Sequence, residues 1–145
     1  ELLKRLRARF SRVSIERLLC GAGIVNIYQA LAEIRGQHAE FEAPGDIGEA
    51  AQQDNPIASE AMAMFFAVLG SSAGNLALTA GAMGGVFIAG GIAPRYIDLL
   101  RRSDFRARFL AKGRFADYTT NIGTYVITHE DPGLLGAALW LRDKT

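Results

Sequence analysis

Three stretches of this sequence carry side chains or bare backbone able to do chemistry. The first is Ser14-Ile15-Glu16-Arg17. A lone carboxylate on a short extended segment could accept hydrogen bonds from two vicinal sugar hydroxyls, because an ionised acceptor makes the stronger bond. The simpler account of Glu16 is an exposed side chain paired with Arg17 or with the basic residues near the start of the chain. On these residues alone the simpler account is ahead.

The second stretch, Gly21-Ala22-Gly23-Ile24-Val25-Asn26, begins like a dinucleotide fingerprint. Asn26 stands where a third glycine belongs, and the required preceding strand and later acidic residue are not convincingly met. A tight turn before a helix is favoured, although backbone N–H groups at a helix start could still face a phosphate or a base. The third stretch is Val86-Phe87-Ile88-Ala89-Gly90-Gly91-Ile92-Ala93-Pro94. An apolar strand ending in two glycines puts bare backbone at the carboxyl edge of a parallel sheet, where ligands of α/β sheets bind. Without Cβ atoms, a flat adenine or a ribose can approach the main chain closely. A glycine turn demanded only by local dihedrals explains the same residues, and composition alone leaves it ahead.

Other reactive residues point nowhere further. His129-Glu130-Asp131 cannot all converge on one ion from consecutive extended positions, so a strand-end histidine beside a helix cap is expected and no metal site. His38 lies in a polar loop. Cys20 follows Leu18-Leu19 with no His nearby in sequence, which suits a small, buried or half-buried side chain better than a nucleophile.

Around these stretches the chain is punctuated for helices and a few strands. The first ten residues read as the end of a helix, and Arg12 to Leu19 as short extended structure with Val13 and Ile15 inward. Ile24 to Ile34 follows as a helix after the turn at Gly21–Gly23. Asp46 is the expected N-cap of a short helix ending near Gln53. Asn55 caps, and Pro56 opens, a helix to about Ala80 whose Gly70, Ala73, Gly74, Ala77 and Gly81 form a small-residue face for close packing. Val86 to Ala89 reads as a central strand buried on both faces. Helices are expected from Pro94 to Leu100 and from about Asp104 to before Gly113. A strand is expected over Thr124 to Thr128, then a helix capped by Asp131 from Pro132 to about Arg142. Strand–helix–strand order with apolar strands is that of an α/β layered domain.

Composition bounds the function. At 145 residues the chain makes one compact domain or one lobe of a larger protein, and half its residues are hydrophobic. A formal charge of +1 argues against nucleic acid, whose phosphates need a basic surface. The basic cluster Lys4, Arg5, Arg7, Arg9 and Arg12 reads as the solvated face of an amphipathic helix. One cysteine and no secretory signal agree with a reducing cytoplasm. Ala61 to Pro94 carries no charge, but its glycines and polar residues, with a densely apolar part only from Met62 to Leu69, argue against the roughly 20 apolar residues of a membrane span. No membrane partner is expected, and a span remains the minor alternative.

In order, these segments resemble the bacterial glucokinase family, in the hexokinase-like group of the actin-type ATPase fold. The matching stretches are Val13 through Tyr28, Gly74-Asn75-Leu76-Ala77-Leu78, Gly84 through Arg95, Lys112-Gly113-Arg114-Phe115 and Pro132 through Ala138. Each is weak alone; their joint order is specific. The resemblance implies an α/β lobe of the ribonuclease-H-like, actin-type ATPase kind, a large lobe with few short strands and several packing helices. It covers residues 1–145 as the carboxyl-terminal lobe.

The resemblance also implies roles. Glu16 stands where the family's Ser-x-Glu-Arg glutamate contacts glucose, and Ala89, Gly90 and Gly91 where the superfamily's adenosine motif lies. The last helix, with Gly133, Gly136, Ala137 and Ala138, corresponds to a hinge crossing between lobes, whose closure excludes water. ATP, Mg²⁺ and D-glucose are the implied cofactors and substrate, and a homodimer the implied assembly. The family's Asp-x-Gly-Gly-Thr phosphate loop, catalytic Asp and Gly-Glu-Gly-Gly-His segment are not found here. This chain is therefore expected to hold no catalytic residue and to be inactive without the missing amino-terminal half. A non-catalytic oligomerisation or regulatory module is the alternative.

Overall fold

The computed structural model describes residues 1–143. It is an α/β lobe built on one long helix, Pro56–Ala80 (α4). The Asn55 side chain accepts the Ala58 N–H at 3.1 Å, Pro56 occupies the first turn, and Gly81 closes the helix at φ 61°. Buried residues recur at helical spacing: Ala58, Ala61, Met62, Phe65 and Phe66, then Gly70, Ala73, Gly74 and Ala77. The small-residue face does what its composition predicts. A Cβ on Gly70 would lie 2.1 Å from the carbonyl oxygen of Phe105, and one on Gly74 2.5 Å from that of Phe109. Both acceptors belong to Phe105–Leu110 (α7), whose backbone lies directly on α4. By length and apolarity α4 could cross a membrane, but its most apolar window is 44% buried against the rest of the lobe.

Leu2–Arg9 (α1), Gly21–Ile34 (α2) and Pro44–Gln52 (α3) complete the amino-terminal side. In α2, Ile24, Ile27, Tyr28 and Leu31 face the core. The helix starts three residues earlier than the glycines suggest, because the Cys20 Sγ accepts the Gly23 N–H at 3.3 Å and caps it. Pro44 likewise opens α3 ahead of Asp46, which lies in its first turn and is not its cap. The segment around Glu16 is not extended. Ile15–Arg17 forms a single 3₁₀ turn, with the carbonyls of Ser14 and Ile15 taking the N–H groups of Arg17, Leu18 and Leu19. Ile15 consequently points outward, 56% exposed.

Val86–Ile88 (β1) and Thr124–Val126 (β2) pair in parallel as a two-stranded sheet, Phe87 opposite Tyr125. The expectation of a strand buried on both faces is not met. Helices cover one side only, so Phe87 is 62% exposed and stacks on Tyr125 with ring centres 5.1 Å apart. The helix expected from Pro94 to Leu100 is broken into Ile92–Arg95 (α5) and Ile97–Arg102 (α6). Tyr96 at the break buries its ring against Gly48 of α3 and donates its hydroxyl to the Gly45 carbonyl at 3.3 Å. A 3₁₀ turn at Gly113–Phe115 and Ala116–Thr120 (α8) lead into β2. Pro132–Arg142 (α9) buries none of its residues, and Asp131 does not cap it with its side chain; instead the Asp131 N–H donates to His129 Nδ1 at 3.1 Å.

Candidate functional site

Glu16 sits on the 3₁₀ turn with its side chain exposed. It lines a cavity of about 340 Å³ together with Ser14, Arg17, Cys20, Ala22 and Asn26. Among the described residues it makes no ion pair. The Arg17 guanidinium turns away and lies 4.6 Å from the centre of the Phe10 ring. The simpler account from sequence, a Glu16–Arg17 pair, is therefore not what the structure forms. The lining residues carry a carboxylate, a hydroxyl, an amide, a thiol and, on Arg17, a guanidinium engaged by the Phe10 ring. Such a mixture suits a neutral ligand rich in hydroxyls, which needs both acceptors and donors.

This turn is held against the start of α2. A Cβ on Gly23 would lie 2.2 Å from the Leu18 carbonyl oxygen, so the helix touches the backbone there with nothing between. One turn further along, Asn26 Nδ2 donates to the Arg17 carbonyl at 3.0 Å. The Gly-Ala-Gly stretch thus serves as a docking point for the turn that carries Glu16.

Ala89, Gly90 and Gly91 follow the carboxyl end of β1 and are all exposed. Gly90 has φ +108°, and a Cβ on Gly90 or Gly91 would meet nothing within 4 Å. The backbone at Gly90 and Gly91 is therefore open to close approach, with no side chain in the way. None of the three residues is among those that line the cavity around Glu16.

The histidines are apart: His38 is exposed in its loop and His129 is engaged by Asp131. No three His, Cys, Asp or Glu side chains come together as a possible metal cluster among the described residues. Two residues to which the sequence alone gives no role matter locally. In the sequence Asn26 stands out only where a third glycine belongs. Lys112 donates from Nζ to the Ser71 carbonyl at 2.8 Å, and burial holds its pKa below the ordinary lysine value of 10.5. A lysine just ahead of a glycine at the end of a helix is the one local hint of it.

A protein-family model described as Glucokinase matches residues 1–144. Among curated proteins, the glucokinase of Paramagnetospirillum magneticum is 49% identical over 143 residues, covering 98% of this chain and 44% of that protein. The glucokinase of Hahella chejuensis is 46% identical over 144 residues, covering 99% and 45%. The crystal structure of a glucokinase from an Antarctic psychrotroph superposes with a TM-score of 0.89 at 36% identity, covering 98% of this chain and 44% of that one. The chain therefore spans less than half the length of these relatives.

Proposed function

This chain belongs to the glucokinase family, and from that premise we propose that it is the carboxyl-terminal lobe of an ATP-dependent glucokinase. The reaction is transfer of a phosphoryl group from ATP to D-glucose, giving glucose 6-phosphate and ADP. Glu16 accepts hydrogen bonds from glucose hydroxyls in the cavity it lines. Ala89, Gly90 and Gly91 take the adenosine on open backbone, and ATP supplies the transferable group when bound. The observation that carries this reading is a carboxylate that makes no ion pair among the described residues and lines a polar cavity, within a family match over nearly the whole chain.

Phosphoryl transfer rests on positioning and charge stabilisation around the reacting oxygens. On the family resemblance, the metal and the base that accepts the sugar proton are assigned to the amino-terminal half of the kinase, whose phosphate loop and catalytic Asp have no counterpart in residues 1–145. On this reading residues 1–145 are inactive alone, the enzyme works in the cytoplasm, and it assembles as a homodimer. In the full-length kinase, Glu16→Gln is expected to raise the glucose KM far more than the ATP KM. An unchanged glucose KM removes Glu16 from the site.

One feature favours a second reading, a non-catalytic association module. Phe87, Tyr125, Leu134 and Leu135 are large, apolar and exposed, a surface that promotes association. Co-expression with the amino-terminal half of a glucokinase separates the two: recovered glucose phosphorylation supports the enzyme, and persistent silence the module.

A further inference from the structure

We infer that Asn26 is a positioning residue, whose side-chain amide holds the turn bearing Glu16 in the orientation the sugar requires. The inference rests on the reading of Glu16 as the sugar ligand. A single 3₁₀ turn has poor hydrogen-bond geometry and no cooperative stability of its own, so contacts from elsewhere must set its direction. Here they come from α2. Gly23 allows the first turn of the helix to sit on the Leu18 carbonyl, at a distance that any side chain would forbid. Asn26 reaches back across nine positions to the carbonyl of Arg17, the residue next to Glu16.

That acceptor is left over by the turn itself. The carbonyls used inside it are those of Ser14 and Ile15, and the Arg17 oxygen is satisfied by Asn26 Nδ2. Glu16 makes no ion pair among the described residues, so its backbone is what aims the carboxylate. Cys20 completes the junction by capping α2 through Gly23. The Asn26 amide is the only donor among these contacts that comes from a side chain and ends on the turn.

The test uses the full-length kinase carrying Asn26→Asp and Asn26→Ala. Aspartate keeps the shape but removes the donor; alanine removes both. Each is expected to raise the glucose KM about tenfold, the order expected for one lost hydrogen bond, with the ATP KM unchanged. Each should also speed hydrogen exchange at the Leu18 and Leu19 amides in sugar-free protein. A direct sugar contact through the Asn26 carbonyl would survive in Asn26→Asp, so a glucose KM like that of the parent in that variant overturns the inference. Glu16→Gln distinguishes the two ways of failing. If Glu16→Gln raises the glucose KM and the Asn26 variants do not, only the positioning role is lost. If Glu16→Gln has no effect, the sugar-site reading falls, and this inference with it.

Discussion

The Lys112 ammonium donates to the Ser71 carbonyl at 2.8 Å, beside a Gly74 whose missing side chain leaves the room for it. A Cβ on Gly74 would lie 2.4 Å from the Lys112 Cε and 2.5 Å from the Phe109 carbonyl. One helix turn away, Gly70 makes the same kind of approach to the Phe105 carbonyl. The α4–α7 seam is thus backbone on backbone, pinned at one end by a lysine.

Because the obstructing atom at Gly70 is main chain, it cannot rotate aside. Gly70→Ala is expected to destabilise the lobe by about 1–3 kcal/mol or more, as overpacking does, measured by urea unfolding. Gly74→Ala meets the same kind of acceptor in Phe109 and should also lose stability. A midpoint unchanged in Gly70→Ala would mean that the two helices are not in this contact.

Lys112 gives a pH signature. Desolvation favours its neutral form, so the folded state gives up the proton at lower pH than the unfolded chain does. Between the folded value and 10.5 the unfolded chain binds more protons, and stability therefore rises with pH in that window. Compared with Lys112→Met, the parent should gain relative stability as pH climbs toward 10.5. A constant difference between the two would refute the burial of the charge.

Tyr96 works in the opposite direction. Burial raises its pKa above 10.0, Arg95 opposes this, and Glu49 and Asp46 add to it. Its contribution is complete below pH 10.0 and is lost as pH rises through the folded value, because the unfolded chain ionises first. Tyr96→Phe should cost about 0.5–1.5 kcal/mol at neutral pH for the bond to Gly45. Above pH 10 the gap between Tyr96→Phe and the parent should narrow, as chemical denaturation at several pH values would show.

Gly90 and Gly91 separate strain from ligand approach. Gly90, at φ +108°, should lose about 1 kcal/mol or more on change to alanine, since side chains avoid that conformation. Gly91 has φ −80° and open space around it. Gly91→Ala should leave stability within about 0.5 kcal/mol, yet raise the ATP KM in the full-length kinase. Normal ATP kinetics in Gly91→Ala would take this backbone out of the nucleotide site.

Much of the scaffold was legible because its signals are local. Asn55-Pro56 marks the start of α4 through a cap bond three residues away, and the small residues beyond Leu69 announce a close crossing. Tyr96 shows where local signals stop. Nothing beside it in sequence tells that its ring lies on Gly48, and that contact accompanies the break between α5 and α6. The exposed side of β1 was equally hidden, since an apolar run says that a strand can be buried and not whether anything covers it.

The residues in their order were enough to identify the family and the α/β class, because caps, helical spacing and motif order are properties of neighbours along the chain. Only the folded lobe decided that Glu16 rides on a compact turn, that Arg17 turns to Phe10, and that Asn26 ties this turn to α2. A three-residue turn has too little energy of its own to choose a direction. The surface it docks against makes the choice.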